Sequence, residues 1–581
     1  MRENAKYQLW IVAAAAVIFF TNLGATGLWD MDEALYTTCA REMFQRGDWV
    51  VPWFNGLMFP EKPPLMFWTM MAGFELFGVN EFGARFFSAV FGIATALAAF
   101  HLGRILCSAR VGLWTGLITA STIIFTVSAR AATVDSALTL TTTLAFLLFA
   151  IARRRSATWP ALAGMYACIG VAVLAKGPVG MVLPLGAMGL YLLVADGWRN
   201  LFRSAWWMRP FTALVVVAAV ALPWYVWVGY RTEGEWLRKF FIEFNLRPFK
   251  QPILGHGDAN AYFLHRTAAI LVSLSYYLYH IPAILVGFFP WSVLLGPTVI
   301  DVVRRIRRHD AWRDGCLLAS CWFGVWFVFW SICKTKLPHY LLPAYPALAL
   351  LTACFIDRWQ TDPASVGRWW LRNAWISMIL AGVGITIAIP IVAAIYLPGE
   401  TMLGLMGVIL ILVGGRCWWN TAHEQHREAL IALAVTAVVF LTSMFGFAAL
   451  RVDRHQNATS MIAAIRADCI KRDSPIFAET KIGTVPLPPI AAYCFFREST
   501  VYYAGHPVTI CENDEATNRL ALEDLQEFAA NSPRCYVITT AEYEPEINRH
   551  FPGKFTVIFR QRRLLDPGEM VVLRAAAEPS H

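Results

Sequence analysis

Hydrophobic stretches recur along the whole chain and are separated by short polar segments. A run of about 20 apolar residues is long enough to cross the hydrocarbon core of a bilayer as a helix. The pattern predicts thirteen such helices, at residues 8–28, 83–103, 111–128, 135–152, 158–175, 177–195, 210–230, 279–300, 315–333, 339–356, 373–396, 401–418 and 429–449. The sequence therefore predicts an α-helical polytopic membrane protein.

The arginines between these stretches follow a regular alternation. With the N-terminus in the cytoplasm, the inner loops contain Arg104 and Arg110, Arg153 to Arg155, Arg199 and Arg203, the cluster at 304–308, Arg358 and Arg368, and Arg416 and Arg427. Cytoplasmic loops of membrane proteins accumulate Lys and Arg, so this orientation is the predicted one. Residues 29–82, residues 231–278 and the tail from residue 451 then lie outside.

Composition supports the same class of protein. The 581 residues are 57% hydrophobic and 15% charged, and the mean hydropathy is +0.49, which is too apolar for a soluble protein of this length. The net charge of +9 is explained by cytoplasmic arginines, so no nucleic-acid partner is predicted. Residues 8–28 lead into an acidic motif without a small-residue cleavage site, and we interpret them as a retained first span.

The tail has the pattern of a small α/β domain. Its predicted elements are a helix at 459–471, strands at 474–479, 500–504 and 535–540, and a hairpin formed by 555–565 and 569–574 around Asp566-Pro567-Gly568. The predicted division is a transmembrane domain, residues 1–450, which carries the outer loops 29–82 and 231–278, and a periplasmic α/β domain, residues 451–581.

Four of the cysteines, Cys469, Cys494, Cys511 and Cys535, lie in this tail. An oxidising compartment would permit disulfides among them in three possible connectivities. Free thiols in a small core are an equally good interpretation, and the sequence does not choose between them.

Four lysines depart from the charge alternation and fall on the outer side: Lys62, Lys176, Lys334 and Lys336. Cations on that side need a reason, and an anionic lipid-linked substrate supplies one. For Lys176, which lies in the shortest outer turn, reaching back to the membrane interface is the simpler explanation.

One segment collects several of the relevant side chains. Lys334 and Lys336 are followed by His339 and Tyr340 at the mouth of two spans, and Arg247 lies in the second outer loop. These cations suit a phosphate, because Arg can bind it through two hydrogen bonds and Lys as a point charge.

Acidic residues lie in the same outer region. Asp30 and Glu33 have the spacing of a capping box that opens a helix over 33–46, and acids such as Asp32 in a first turn normally complement the helix dipole. Glu61 belongs to the same loop, and Asp135 could cap the outer end of the fourth span. Each acid alone has a structural explanation, whereas the set is consistent with a polar site against the membrane.

These motifs resemble those of the bacterial C-type membrane glycosyltransferases. The likeness is greatest to the lipid A aminoarabinose (4-amino-4-deoxy-L-arabinose) transferases, which are relatives of the protein O-mannosyltransferases. The segments that carry it are Asp32-Glu33, Gly47-Asp48-Trp49-Val-Val-Pro52, Glu61-Lys62-Pro63, Ala175-Lys176-Gly177, Gly287-Phe-Phe-Pro290-Trp291 and Lys334-Thr-Lys336-Leu-Pro-His-Tyr340.

The resemblance implies an inverting enzyme that moves a sugar from undecaprenyl phosphate to lipid A at the periplasmic face of the inner membrane. It implies carrier-phosphate contacts by Lys62, Arg247 and Tyr340, which Lys334 and Lys336 would join. The acidic, catalytic side of the cavity would consist of Asp32, Glu61 and Asp135. Further cavity or acceptor contacts would come from Glu33, Lys176 and His339.

Some features depart from the family pattern and leave alternatives open. Residues 244–248 read Phe-Asn-Leu-Arg-Pro where the family tends to have His-Ile-Gln-Arg-Phe, and the loop 250–278 contains extra residues. Another sugar, such as a hexose or galacturonic acid, transferred to lipopolysaccharide core or to protein, is therefore a second reading. A non-enzymatic lipid-linked transporter is a third, although no internally symmetric pair of interrupted spans supports it.

No cofactor is required by the sequence, and a divalent metal is left open. His256, Asp258 and His265 could bind an ion together with Glu61, but histidines in loops commonly have no such role. The expected partners are the lipid-linked donor, a lipid A or lipopolysaccharide acceptor and membrane lipids, and the expected state is a monomer.

Overall fold

A computed structural model describes residues 2–154, 159–246, 278–472, 487–513, 520–564 and 568–576. Within these ranges, ten helices are long and apolar enough to cross a membrane, and two bent helix pairs bring the number to twelve. The ten are Glu81–Leu106, Asp135–Arg154, Trp159–Lys176, Val179–Asp196, Pro210–Arg231, Arg313–Ile332, Pro338–Thr361, Arg368–Tyr396, Thr401–Ala422 and His426–Asp453. The predicted class of fold, a polytopic helical membrane protein with a C-terminal α/β part, is confirmed.

The first predicted span corresponds to the helix Arg2–Phe20. This helix begins earlier than predicted and ends at Phe20, where turns lead into the outer loop. Its first turns carry the charged residues Glu3 and Lys6. With this helix and the two bent pairs, a described element corresponds to each of the thirteen predicted spans.

Two predicted spans are not straight helices. The helices Ala109–Ala120 and Ile123–Arg130 meet at an angle of 63°, and His280–Gly287 meets the helical segment Trp291–Arg308 at 114°. In the first pair, Ser121 and Thr122 interrupt the helix, and the Ile123 amide donates to the carbonyl of Phe289 instead of continuing the helical ladder. The predicted spans at 111–128 and 279–300 therefore correspond to bent helix pairs rather than to single helices.

The interior of the helical part is filled by large side chains and by close backbone contacts. Phe146 stacks on Trp322 with ring centroids 3.9 Å apart. Between Glu81–Leu106 and Ala109–Ala120, a Cβ added at Gly103 would meet the Gly112 Cα at 3.0 Å. Small residues at such crossings let helices approach closely, which is a common mode of packing in membranes.

The first outer loop is a folded unit rather than a flexible connection. It contains the helix Asp32–Arg46, a short antiparallel hairpin of β1 (Trp53–Phe54) and β2 (Leu57–Met58), and the helix Leu65–Phe77. The helix Asp32–Arg46, predicted at 33–46, ends where Gly47 adopts φ 63°. Asp30 does not cap this helix as predicted, because its carboxylate binds Ser499 in the C-terminal part.

The C-terminal part is built on a five-stranded mixed sheet. Its strands are β3 (Ile490–Tyr493), β4 (Thr509–Cys511), β5 (Tyr536–Thr540), β6 (Phe555–Arg562) and β7 (Glu569–Ala575), in the order β4-β3-β5-β7-β6. β3 runs parallel to β4 and β5, whereas β7 is antiparallel to β5 and β6. The surrounding helices are Asn457–Arg472, Glu498–Ala504, Ala521–Asn531 and Glu544–His550.

Several predictions for the tail are confirmed and one is wrong. The helix near 459–471, the strand near 535–540 and the hairpin of β6 and β7 are present. The predicted strand at 500–504 is instead part of the helix Glu498–Ala504, which packs against the helix Asp32–Arg46. The predicted strand at 474–479 lies outside the described residues. The cysteines Cys469, Cys494, Cys511 and Cys535 are free thiols.

Hydrogen bonds fasten the C-terminal part to the first outer loop. Arg41 donates to the carbonyls of Val501 and Tyr502, and the Tyr503 hydroxyl donates to Glu81 at 3.0 Å. Asn55, in the turn between β1 and β2, forms two reciprocal amide bonds with Val508, of 2.9 and 2.7 Å. The sheet domain is therefore held over the outer loop at several separate points.

Candidate functional site

A cavity of about 300 Å³ lies where the first outer loop, the ends of the helical spans and the C-terminal part meet. The helix Asp32–Arg46 forms one wall, and the segment Lys239–Leu246 and the residues around Tyr340 form another. Its polar and aromatic lining consists of Asp32, Tyr36, Glu61, Lys62, Asp135, Lys176, Phe240, Phe244, Asn245, Trp330, Thr335, His339, Tyr340 and Glu498.

Asp32 is held by a neighbour one helical turn away. The Tyr36 hydroxyl donates to Asp32 Oδ1 at 2.8 Å. Burial, with added repulsion from Asp32 and Glu61, raises the pKa of Tyr36 well above its usual value. The tyrosine therefore stays protonated and remains a donor, which leaves the other carboxylate oxygen of Asp32 available to a ligand.

Asp135 and Lys176 form an ion pair in the cavity wall. Lys176 Nζ lies 2.8 Å from Asp135 Oδ1, and His339 Nε2 lies 3.8 Å from Asp135 Oδ2. The Lys176 ammonium also lies 4.9 Å from the centre of the Tyr340 ring, which in turn packs on Trp330 at 4.3 Å. The charge of Lys176 is therefore largely balanced inside the protein.

Lys62 is held much more loosely. Its ammonium is 4.0 Å from Glu61 Oε2 and 5.6 Å from the centre of the Tyr36 ring. About a quarter of its side chain, 23%, is exposed. A phosphate entering the cavity could therefore be bound by this cation without breaking a short ion pair.

Glu33 does not line the cavity, contrary to expectation. Its carboxylate accepts two hydrogen bonds from Arg85, of 2.7 and 2.8 Å, and one each from the amides of Trp29 and Ala132. Burial would raise the pKa of Glu33, but Arg85 and these amides outweigh it and hold the pKa below its usual range. Glu33 thus ties the outer loop to the spans.

The lysines predicted to bind phosphate around residue 335 also differ in placement. Lys336 Nζ donates to the carbonyls of Trp330, Ser331 and Cys333, at the end of the helix Arg313–Ile332. These carbonyls have no partner within the helix, so the lysine acts there as a helix cap. Neither Lys334 nor Lys336 belongs to the described cavity lining, and Arg247 lies outside the described residues.

The cavity also contains residues that the sequence reasoning missed. Tyr36 could have been found, because a residue four positions after Asp32 shares its helix face. Glu498 had no such signal, since it lies in the C-terminal part, 467 positions away from its partner Met31. Asn245 and Trp330 were likewise brought in by tertiary packing alone.

A resident metal is not indicated by the part of the chain that the structure describes. No group of three or more His, Cys, Asp or Glu side chains there could hold a metal ion. His256, Asp258 and His265 lie outside the described residues.

Comparison with known proteins agrees with this fold. Residues 61–227 match the model of the dolichyl-phosphate-mannose-protein mannosyltransferase family. Over 98% of its length the chain superimposes on 99% of the crystal structure of ArnT from Cupriavidus metallidurans bound to undecaprenyl phosphate, with a TM-score of 0.75 and 23% identity. The superposition shows that the chain shares the fold of that polytopic membrane protein, and the matches confirm the resemblance to membrane glycosyltransferases seen in the sequence.

Two curated relatives match the chain in sequence. An undecaprenyl phosphate-alpha-4-amino-4-deoxy-L-arabinose arabinosyl transferase from Edwardsiella ictaluri is 27% identical over 70% of this chain and 69% of its own length. An uncharacterized protein of Aquifex aeolicus is 29% identical over 60% of this chain. That match covers 64% of the Aquifex protein's length.

Proposed function

We propose that the protein transfers a sugar from undecaprenyl phosphate to an acceptor at the outer face of the bacterial inner membrane. The observation that carries this proposal is the convergence, in one cavity, of the loosely paired Lys62 with the carboxylates of Asp32, Glu61 and Asp135. The arabinosyl transferase name of the relative from Edwardsiella supports the choice of donor.

Lys62 is the proposed contact of the carrier phosphate. Negative charge develops on that phosphate as the bond from the anomeric carbon to its oxygen breaks. A cation fixed in a partly dry cavity stabilises such charge, by a few kcal/mol in comparable sites, where loss of one stabilising group costs about 3–4 kcal/mol. We extend the same role to Arg247 and Tyr340 on the strength of the family resemblance, with Tyr340 already in the cavity wall.

Asp32 is the proposed group on the acceptor side. The acceptor oxygen attacks the anomeric carbon opposite the departing phosphate, so the configuration at that carbon is inverted. A phosphate acceptor is already a nucleophile, and Asp32 then orients it or stabilises positive charge on the sugar ring. With a hydroxyl acceptor, Asp32 would take the proton as a general base.

The charges of the described cavity lining are compatible with an amino sugar. Among its described lining residues, the three carboxylates of Asp32, Glu61 and Asp135 outnumber the two lysines, Lys62 and Lys176. A protonated amine on the donor sugar would compensate this excess. We therefore propose 4-amino-4-deoxy-L-arabinose as the sugar and a lipid A phosphate as the acceptor, with a neutral or acidic sugar as the competing candidate.

A transfer assay tests the proposal directly. Purified protein in nanodiscs is given undecaprenyl phosphate carrying either aminoarabinose, a hexose or galacturonic acid, together with lipid A, and products are identified by mass spectrometry. We expect transfer of the amino sugar by the wild type and none by Asp32→Asn. Transfer of only the hexose or the acid would replace the proposed sugar, and no transfer from any donor would overturn the proposal.

A further inference from the structure

The residue immediately before Asp32 has an unusual backbone. Met31 adopts φ 66° and ψ −124°, a combination that glycine reaches easily and that a residue with a side chain adopts only with strain. Such a conformation persists only when its surroundings hold it in place. Met31 is the N-cap residue of the helix Asp32–Arg46. Its backbone conformation therefore sets the direction in which the Asp32 side chain points.

The contacts that hold Met31 come from the C-terminal part. Glu498 Oε2 accepts a hydrogen bond from the Met31 amide at 3.3 Å. The neighbouring Ser499 donates both its amide, at 3.2 Å, and its hydroxyl to Asp30 Oδ1. Glu498 and Ser499 of the C-terminal part thus form hydrogen bonds with Asp30 and Met31, the two residues that precede Asp32.

The helix that carries these two residues is itself well anchored. Glu498–Ala504 packs on Asp32–Arg46, and the buried Arg41 guanidinium binds the carbonyls of Val501 and Tyr502. Tyr503 accepts a hydrogen bond from the Leu28 amide at 2.8 Å. The hydrogen bond to Met31 is therefore accompanied by several further contacts between the domains.

The geometry points to Glu498 and Ser499 as positioning residues for Asp32. By keeping Met31 in its strained conformation, they aim the Asp32 carboxylate into the cavity, so the C-terminal domain completes the site. Glu498 acts here as a hydrogen-bond acceptor for the backbone, and its negative charge is secondary. The inference rests on the proposed function, because it assigns these residues to the reaction in which Asp32 takes part.

A double-mutant cycle with Met31 tests the inference in the full-length protein. Glu498→Ala should lower kcat about tenfold, since small misplacements of a reacting group cost one to two orders of magnitude, while KM for the lipid-linked donor stays the same. Glu498→Gln should retain most of kcat, because its amide oxygen can still accept the Met31 N–H. With Met31→Gly present, the loss caused by Glu498→Ala should shrink to less than about threefold, because glycine reaches this conformation easily.

Several results would overturn the inference. One such result is that Glu498→Ala lowers kcat equally with and without Met31→Gly and that Glu498→Gln is inactive. This result would mean that the Glu498 charge contacts the substrate. Another is an unchanged kcat in Glu498→Ala. Glu523→Ala, on an exposed position of the same domain, is the matched control and should behave as the wild type.

Hydrogen exchange separates this inference from the proposed function and from misfolding. Amides over residues 29–35 should exchange about tenfold faster in Glu498→Ala, at wild-type rates in Glu498→Gln, and modestly faster in the milder Ser499→Ala, with the rest of the chain unchanged. Unchanged exchange in Glu498→Ala overturns the inference whatever the enzyme transfers. If the variants show the expected changes in exchange but the protein transfers no sugar, only the proposed function is refuted.

Discussion

Lys176 Nζ lies 2.8 Å from Asp135 Oδ1, and both residues lie at the ends of apolar helices in the wall of the cavity. Asp135 begins the helix Asp135–Arg154, and Lys176 ends the helix Trp159–Lys176. The pair joins two neighbouring helices in the cavity wall, and Asp135 gives Lys176 a structural role there.

Removal of one partner of this pair should destabilise the protein strongly. Lys176→Met leaves a carboxylate that is only 6% exposed without its cation, and such changes cost about 3–5 kcal/mol. We expect a lower thermal midpoint for Lys176→Met in nanodiscs. The double variant Asp135→Asn/Lys176→Met should regain much of this loss of stability. If the losses of the single variants Asp135→Asn and Lys176→Met simply add in the double variant, the pairing is contradicted.

Lys62 should control binding of the carrier phosphate. Lys62→Ala is expected to weaken binding of undecaprenyl phosphate at least tenfold, whereas Lys62→Arg keeps the charge and should weaken it less. Isothermal titration in detergent measures both. Arg238→Ala removes an exposed cation on the same side, from an ion pair with Glu243 at 3.7 Å, and serves as control. Equal affinity in Lys62→Ala and wild type would remove Lys62 from the phosphate site.

Asp32→Asn distinguishes a reacting carboxylate from a first-turn acid. As a first-turn acid, Asp32 would contribute about 0.3–1 kcal/mol to the helix and activity would persist. If Asp32 is the acceptor-side carboxylate, Asp32→Asn should lower kcat at least about a hundredfold. Donor binding and thermal stability should be nearly unchanged. Turnover assays together with carrier-lipid titration give the result. A folded Asp32→Asn protein with full turnover would return Asp32 to a structural role.

The buried pair of Glu33 and Arg85 should matter for stability rather than for chemistry. Glu33→Gln removes one charge of a pair whose side chains are 6% and 4% exposed, with an expected loss of about 3–5 kcal/mol. Glu75→Gln, on an exposed position of the helix Leu65–Phe77, is the control. A thermal midpoint of Glu33→Gln equal to that of the wild type would contradict this structural role.

The same pair predicts a pH dependence. Because the pKa of Glu33 is held below its usual range, its stabilising contribution is complete above the unfolded-state pKa of about 4.3. It is lost as the pH falls below that value and through the lower folded-state pKa. Unfolding measured from pH 6 downwards should therefore show a steeper acid loss in wild type than in Glu33→Gln.

Orientation in the membrane gives a final, independent test. The alternating arginine loops predict an inside N-terminus and an outside C-terminal domain. A periplasm-dependent reporter fused to the C-terminus should therefore be active, and a cytoplasm-dependent one silent. The opposite pattern would invert the proposed location of the cavity.

The spans could be read from the sequence because their cause is local. Each span is a continuous apolar run, which a bilayer stabilises without help from distant residues, and the arginine loops between spans are equally local. The helix Asp32–Arg46 and the hairpin of β6 and β7 follow from local patterns as well. For the same reason the resemblance to the membrane glycosyltransferases was visible in short motifs.

The tertiary structure decided which charged side chains face the cavity. Glu33 and Asp32 are neighbours in sequence, yet Glu33 forms an ion pair with Arg85, 52 positions away, while Asp32 faces the cavity. Lys336 caps a helix end whose exact place no sequence pattern specifies. Pairings between distant residues depend on the packed fold. Sequence patterns therefore indicate which residue types form a site, but they do not show which charged side chains form structural contacts and which face the cavity.

Packing between the two domains likewise overrode local preference. Residues 500–504 are rich in side chains that favour strands, but they form a helix because they dock on Asp32–Arg46, and such propensities yield to tertiary context. That docking brings Glu498 to Met31 across 467 positions of chain. The sequence alone determined a membrane protein with a polar site near the ends of its spans. Only the fold determined that the C-terminal domain forms part of that site, because the contact exists only when both domains are packed together.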